Sequence, residues 1–222
     1  MKDLVIFDLD GTLIDSKLDL ANSVNAMCRH LGMTPLSNER VYSYVGNGAP
    51  VLVRRVLGPQ AAEEEVQEAL EYFIEYYREH CLENTRFYPG VLESLIRLRD
   101  AGVAMAILTN KPVKISKTII EGLRAAGYFH ELYGGNSFPH KKPHPIGVQT
   151  LMEECGVTRE HTLMVGDSSV DIQTARNAQV RSCGVTYGFQ PETLVDPAPD
   201  LVVDHMEEMA AWVLARRNGN PS

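Results

Sequence analysis

Short apolar runs that each stop at a polar residue or glycine, separated by stretches of helical spacing, constrain this chain more than any other feature. The runs are "LVIF" before Asp8, "VAMAIL" before Thr109, "TLMV" before Gly166 and "CGVTY" around Cys183. Unbroken apolar runs of this length suit strands whose sheet is covered on both faces. Between most of them lie helical patterns: Val91 to Asp100 before Gly102, Pro112 to Ala126 before Gly127, and Pro145 to Cys155 before Gly156. Glycine just past a helix takes the left-handed conformation that closes it. Strand alternating with helix predicts an α/β fold with a doubly wound, Rossmann-like parallel sheet. Asp200 to Val203 adds a further strand and Met206 to Arg216 a closing helix.

One segment departs from this rhythm. From Asp15 to Thr85 there is no strand signal, while Leu20, Val24, Met27, Cys28 and Leu31, and again Val66, Leu70, Phe73, Ile74 and Tyr77, recur at helical spacing. The expected organisation is an all-α helical cap at 15–85 inserted into an α/β core made of 1–14 and 86–222, with "FYPG" at Phe87 to Gly90 returning the chain to the sheet. Open α/β sheets bind ligands beyond the carboxyl ends of their strands. An insert leaving directly after the first strand is therefore a candidate lid.

Composition narrows the partners. Of 222 residues, 21 are basic and 29 acidic, a net charge of −8, which disfavours nucleic acid because phosphate contacts need clustered Lys and Arg. No apolar run approaches the length of a membrane span, and Leu4 to Phe7 is too short for a signal-peptide core. Cys28, Cys81, Cys155 and Cys183 form no CxxC pair, so they are expected as buried reduced thiols in a cytoplasmic protein. The tail "RRNGNPS" is expected to fray.

In "VIFDLDGTLID" the first strand ends on Asp8, skips one residue, and adds Asp10 before turning on Gly11. Alternate residues of an extended segment share a face, so the two acids can point into one space. Neighbouring carboxylates repel unless a divalent cation lies between them or one holds a proton. Thr109 and Asn110 end the second run, Lys141 and Lys142 precede a helix in "HKKPHP", and "GDSSVD" carries Asp167 and Asp171. Acids, a hydroxyl and a lysine thus converge on one rim of the sheet.

In this order, and around a helical insert, "DLDGT", Thr109, the Lys before Pro and "GDSSVD" resemble the motifs of the haloacid-dehalogenase-like phosphatase superfamily, over nearly the whole chain. "YVGNGAPVL", "LTNKP", "KKPHP" and "VTYGF" are further similar to the bacterial phosphoglycolate phosphatases. The resemblance implies a Mg2+-dependent phosphomonoester hydrolase working through an aspartyl-phosphate. Asp8 would be the nucleophile and Asp10 the general acid and then base. The Asp8 and Asp167 carboxylates, with the Asp10 carbonyl, would hold Mg2+, and Asp171 would support them from behind. Thr109, Asn110 and Lys142 would bind the phosphate.

The same resemblance makes Gly46, Asn47 and Gly48 a substrate-facing cap loop offering amides to a small carboxylate, where glycine spacing by itself indicates only a turn. Pro50 departs from the acidic residue found there in some relatives. Lys141 reads as a solvated charge, His144 as a loop or helix-entry residue and not a metal ligand, and Tyr72, Tyr76 and Tyr77 as cap core and interface. The implied partner is a small phosphorylated metabolite, with the chain a monomer or homodimer. Alternatives on the same machinery are a nucleotidase, pyrophosphatase, sugar-phosphate phosphatase or phosphomutase. A phospho-receiver signalling domain also gathers acids, Thr and Lys on a sheet rim, but lacks a helical insert after its first strand.

Overall fold

A computed structural model of the chain describes residues 2–217. Six parallel strands form one sheet: β1 (Leu4–Phe7), β4 (Ala104–Leu108), β5 (Leu132–Tyr133), β6 (Thr162–Gly166), β7 (Arg181–Val185) and β8 (Leu201–Val203), in the order β5-β4-β1-β6-β7-β8. The register places Phe7 beside Ile107 on one side and Val165 on the other, so the strands end level. All four residues of β1 are buried. Val5 and Phe7 belong to one hydrophobic cluster, Leu4 and Ile6 to a second. Helices α5 (Val91–Asp100), α6 (Val113–Gly122) and α9 (Met206–Arg217) cover the first face, and α7 (Ile146–Cys155) and α8 (Ser169–Ala178) the second. Cover on both faces is why the strands are continuously apolar and not alternating.

The insert leaves and returns through a two-stranded antiparallel ribbon, β2 (Ile14–Asp15) with β3 (Arg86–Phe87). Between these strands lie α1 (Lys17–His30), α2 (Asn38–Tyr42), α3 (Ala49–Leu57) and α4 (Glu63–His80). At the neck the buried Asp19 carboxylate accepts hydrogen bonds from the Asn84 and Thr85 amides, the Asn84 side chain and the Thr85 hydroxyl, at 2.7–3.0 Å. The outgoing helix is thereby tied to the incoming chain.

Several elements differ from expectation. The helix expected to run to Ala126 ends at Gly122, where Leu123 and Arg124 turn the chain with Arg124 in the left-handed region (φ 58°). A short 3-10 turn, Ala126–Tyr128, follows. Strand β5 and helices α2 and α3 carry too few residues to announce themselves by periodicity. In the expected frayed tail, Arg216 and Arg217 continue α9, and 218–222 lie outside the described residues. All four cysteines are buried and unpaired, as expected. No helix among the described residues is long and apolar enough to cross a membrane.

Candidate active site

The level strand ends set the site. Asp8 directly follows β1, Thr109 follows β4 and Asp167 follows β6, all at the carboxyl edge of adjacent strands. Lys142 comes from the loop before α7, and its ammonium lies 2.8 Å from Asp8 Oδ1 and 2.6 Å from Asp171 Oδ1. Asp171, in the first turn of α8, also accepts from the Ser168 hydroxyl at 2.7 Å, which fixes the carboxylate. Gly166 lies against it so closely that a Cβ there would overlap the Asp171 side chain. Gly11 (φ +83°) likewise passes over Asp167 where any Cβ would collide with its carboxylate. Asp167 Oδ2 accepts from the Phe189 amide at 2.6 Å.

The carboxylates that converge are Asp8, Asp167 and Asp171, whose ligand oxygens lie within 4.8 Å of one another. Asp8 and Asp10 both line the cavity beneath the insert, but the Asp10 carboxylate stands outside this cluster. Lys111 Nζ lies 2.9 Å from both Asp10 carboxylate oxygens, and Ser16 Oγ donates to Oδ1 at 2.5 Å. Lys142 contacts two of these three acids, Asp8 and Asp171, and no ion pair among the described residues reaches Asp167. Burial, opposed by Lys142 and aided by Asp171, pushes Asp8 up to about 6. Burial together with Asp171 and Asp8 pushes Asp167 up to about 8. Burial works to lower the Lys142 pKa, but Asp171 and Asp8 outweigh it and the net is a rise. An all-oxygen donor set with uncompensated negative charge fits a hard divalent cation.

Those directions have a stability consequence. Asp8 and Asp167 start from 3.8 when unfolded, so between that value and their raised ones the native state binds more protons than the unfolded chain. Native stability then falls as pH rises through this window. The melting temperature of EDTA-treated protein is expected to decline from about pH 5 to about pH 8, and Mg2+ to reverse most of the decline at the upper end. A melting temperature that climbs over the same interval without metal would contradict the acid cluster.

Thr109 is buried, and its hydroxyl accepts the Lys111 amide at 3.3 Å. The Asn110 side-chain amide donates to the Lys142 carbonyl at 3.2 Å, bracing the Lys142 main chain, and Asn110 also lines the cavity beneath the insert. Lys111, unassigned by motif reasoning although it stands inside "LTNKP", is buried and also donates to the Tyr77 hydroxyl of α4 at 2.5 Å. Tyr77, expected as cap core and interface, meets the core through this contact and also lines the cavity.

A cavity of about 50 Å3 separates the strand ends from the insert, lined by Asp8, Thr109 and Lys111 below and by Leu52, Phe73 and Gly48 above. Gln190 Nε2 donates to the Val45 carbonyl at 2.8 Å and Lys141 Nζ to the Asn47 carbonyl at 2.6 Å, so the insert sits latched to the core. Lys141, expected as a solvated charge, is one of these latches. Gly46 and Gly48 line the cavity, and among the described residues the amides of Gly46, Asn47 and Gly48 donate no hydrogen bond. His144 sits at the helix entry as expected, its Nδ1 accepting the Ile146 amide at 3.3 Å.

A parallel sheet with a carboxylate at the end of its central strand, a lysine upon it, further acids beside it and a helical insert above defines a recognisable class. The family model for haloacid dehalogenase-like hydrolases matches residues 5–185, and the chain belongs to that family. It is 41% identical to a phosphoglycolate phosphatase of Pseudomonas putida, an alignment covering 93% of this chain and 78% of that protein. It is 38% identical to a phosphoglycolate phosphatase of Vibrio vulnificus, covering 95% and 96%. A crystal structure described as a predicted phosphoglycolate phosphatase from Haemophilus somnus superposes with a TM-score of 0.89 at 33% identity, covering 95% and 97% of the two chains.

Proposed function

We propose that the chain is a cytoplasmic, Mg2+-dependent phosphatase that hydrolyses 2-phosphoglycolate to glycolate and phosphate, with 15–85 acting as cap over a core of 1–14 and 86–222. The observation that carries the chemistry is Asp8, held against Lys142 on the floor of a cavity roofed by the insert. Asp8 attacks phosphorus, the bond from phosphorus to the leaving oxygen breaks, and Asp10 supplies the proton that oxygen takes up. In the second half Asp10 removes a proton from water as it attacks the phosphorus, and the Asp8 carboxylate departs. The Thr109 hydroxyl and adjacent main-chain amides bind phosphate oxygens, while Lys142 offsets their charge. Mg2+ held by the Asp8 and Asp167 carboxylates and the Asp10 carbonyl would neutralise charge gathering on the phosphoryl oxygens. Asp171 holds Lys142 in place.

The choice of substrate is supported by the phosphoglycolate phosphatases to which the chain is 38–41% identical and by the roof itself. A cavity of about 50 Å3 under a latched insert suits a two-carbon leaving group better than a nucleoside. Support for a small carboxylate comes from the 46–48 loop, where Gly46 and Gly48 line the cavity and the amides donate no hydrogen bond among the described residues. Catalytic efficiency measured across phosphoglycolate, nucleotides, sugar phosphates and pyrophosphate is expected to be highest for phosphoglycolate. EDTA is expected to abolish the activity and Mg2+ to restore it. A nucleotide or pyrophosphate turned over more efficiently would overturn the substrate, and full activity in EDTA would overturn the metal.

A further inference from the structure

Lys111 is the sole Lys, Arg or His among the described residues lining the cavity; the Lys142 ammonium lies beneath, occupied by Asp8 and Asp171. Much of the insert's wall is apolar, with Leu20, Leu52, Phe73 and Ile74. An anionic leaving group entering this space therefore meets one basic side chain. Its ammonium is held from two sides. Both Asp10 oxygens lie at 2.9 Å, and the Tyr77 hydroxyl of the insert lies at 2.5 Å. An ammonium has three donors and these contacts engage all three, so a ligand carboxylate takes over or shares one of the two Asp10 contacts. The Tyr77 ring also lies 4.4 Å from Lys111 Nζ, which limits where that long side chain can go.

We propose that Lys111, pinned by Tyr77 from the insert, is the residue that reads the carboxylate of the substrate's leaving group. The inference rests on the phosphoglycolate reading and adds the group responsible for it. In that ester the carboxylate carbon is two bonds from the ester oxygen that Asp10 serves. A group beside that oxygen thus also stands beside Lys111, whose ammonium contacts both Asp10 oxygens. The amides of the 46–48 loop orient the carboxylate, and Lys111 supplies the opposite charge in a partly desolvated cavity, where charge-assisted hydrogen bonds are strongest. Because Tyr77 belongs to α4, the carboxylate reader is complete only when the insert is down.

The test compares phosphoglycolate with phosphoglycolamide, which keeps the shape and removes the charge. Lys111→Met is expected to lower kcat/KM for phosphoglycolate by roughly 10- to 100-fold more than for phosphoglycolamide, mainly through KM. Tyr77→Phe, which keeps the lysine and nearly all the packing, is expected to show the same selectivity to a smaller degree, and it decides the matter if Lys111→Met does not fold. Equal losses on both substrates would mean that Lys111 merely positions Asp10, and would overturn the proposal. A wild type that prefers a different carboxylate-bearing phosphoester, with that preference erased in Lys111→Met, would sustain Lys111 and overturn phosphoglycolate. A wild type that prefers phosphoglycolate, with the ratio unchanged in the variant, would do the reverse.

Discussion

Asp8→Asn is expected to lower kcat by at least about 10,000-fold, because the amide has neither the charge nor the nucleophilicity to form an acyl phosphate. The same substitution is expected to leave the fold intact and to raise the melting temperature of metal-free protein at neutral pH. Asp8 is one of three clustered acids, two of which share the Lys142 ammonium, and its raised pKa of about 6 means that its charge is held at a cost to stability. Intact-mass spectrometry after brief mixing with substrate should show a phosphoryl adduct on the wild type and none on the variant. Turnover at wild-type level, with deamidation excluded by mass, would remove Asp8 from its role.

Lys142→Met should produce the second largest effect, and it reaches stability as well as rate. Losing the cation that we propose offsets phosphoryl charge is expected to reduce kcat by about 100- to 1,000-fold. It also leaves Asp8 and Asp171 without the ammonium that contacts both, and removing one partner of a buried ion pair commonly costs about 3–5 kcal/mol. That loss should depend on pH in a direction the acid cluster dictates. Near pH 8 the variant holds its charges unrelieved, whereas toward about pH 5 protonation of Asp8 and Asp167 lifts part of the repulsion and the gap to wild type narrows. Urea unfolding at both pH values measures this; a gap that widens on acidification would show that Lys142 is not balancing these acids.

The part of the site legible in the sequence is the part built on strand ends. Asp8, Thr109 and Asp167 each follow an apolar run, and parallel strands of one sheet bring such positions to a common edge. Lys142 was legible through its place before proline in the resembled motif, and the helical insert through its long amphipathic helices. What escaped depends on contacts far apart in sequence. Lys111 meets Asp10 across 101 positions and Tyr77 across 34, and no local pattern encodes such a meeting. Asp10 lines the same cavity as Asp8, but its carboxylate is engaged by Lys111 and Ser16 and so stands outside the cluster of Asp8, Asp167 and Asp171. Strand β5 has two residues, and α6 stops without a glycine after its last turn, at Leu123 and Arg124.

The tight packing of Gly11 upon Asp167 and of Gly166 upon Asp171 bears on how such a catalyst could acquire a new substrate. Not even a methyl group can be added at either point without displacing an acid, so the catalytic floor offers no room for incremental change. The opposite wall, with Leu52, Phe73 and Ile74, is ordinary side-chain surface that can be enlarged, shrunk or recharged. Divergence, natural or in a directed-evolution library, would therefore accumulate in the insert, while the reaction beneath it stayed the same.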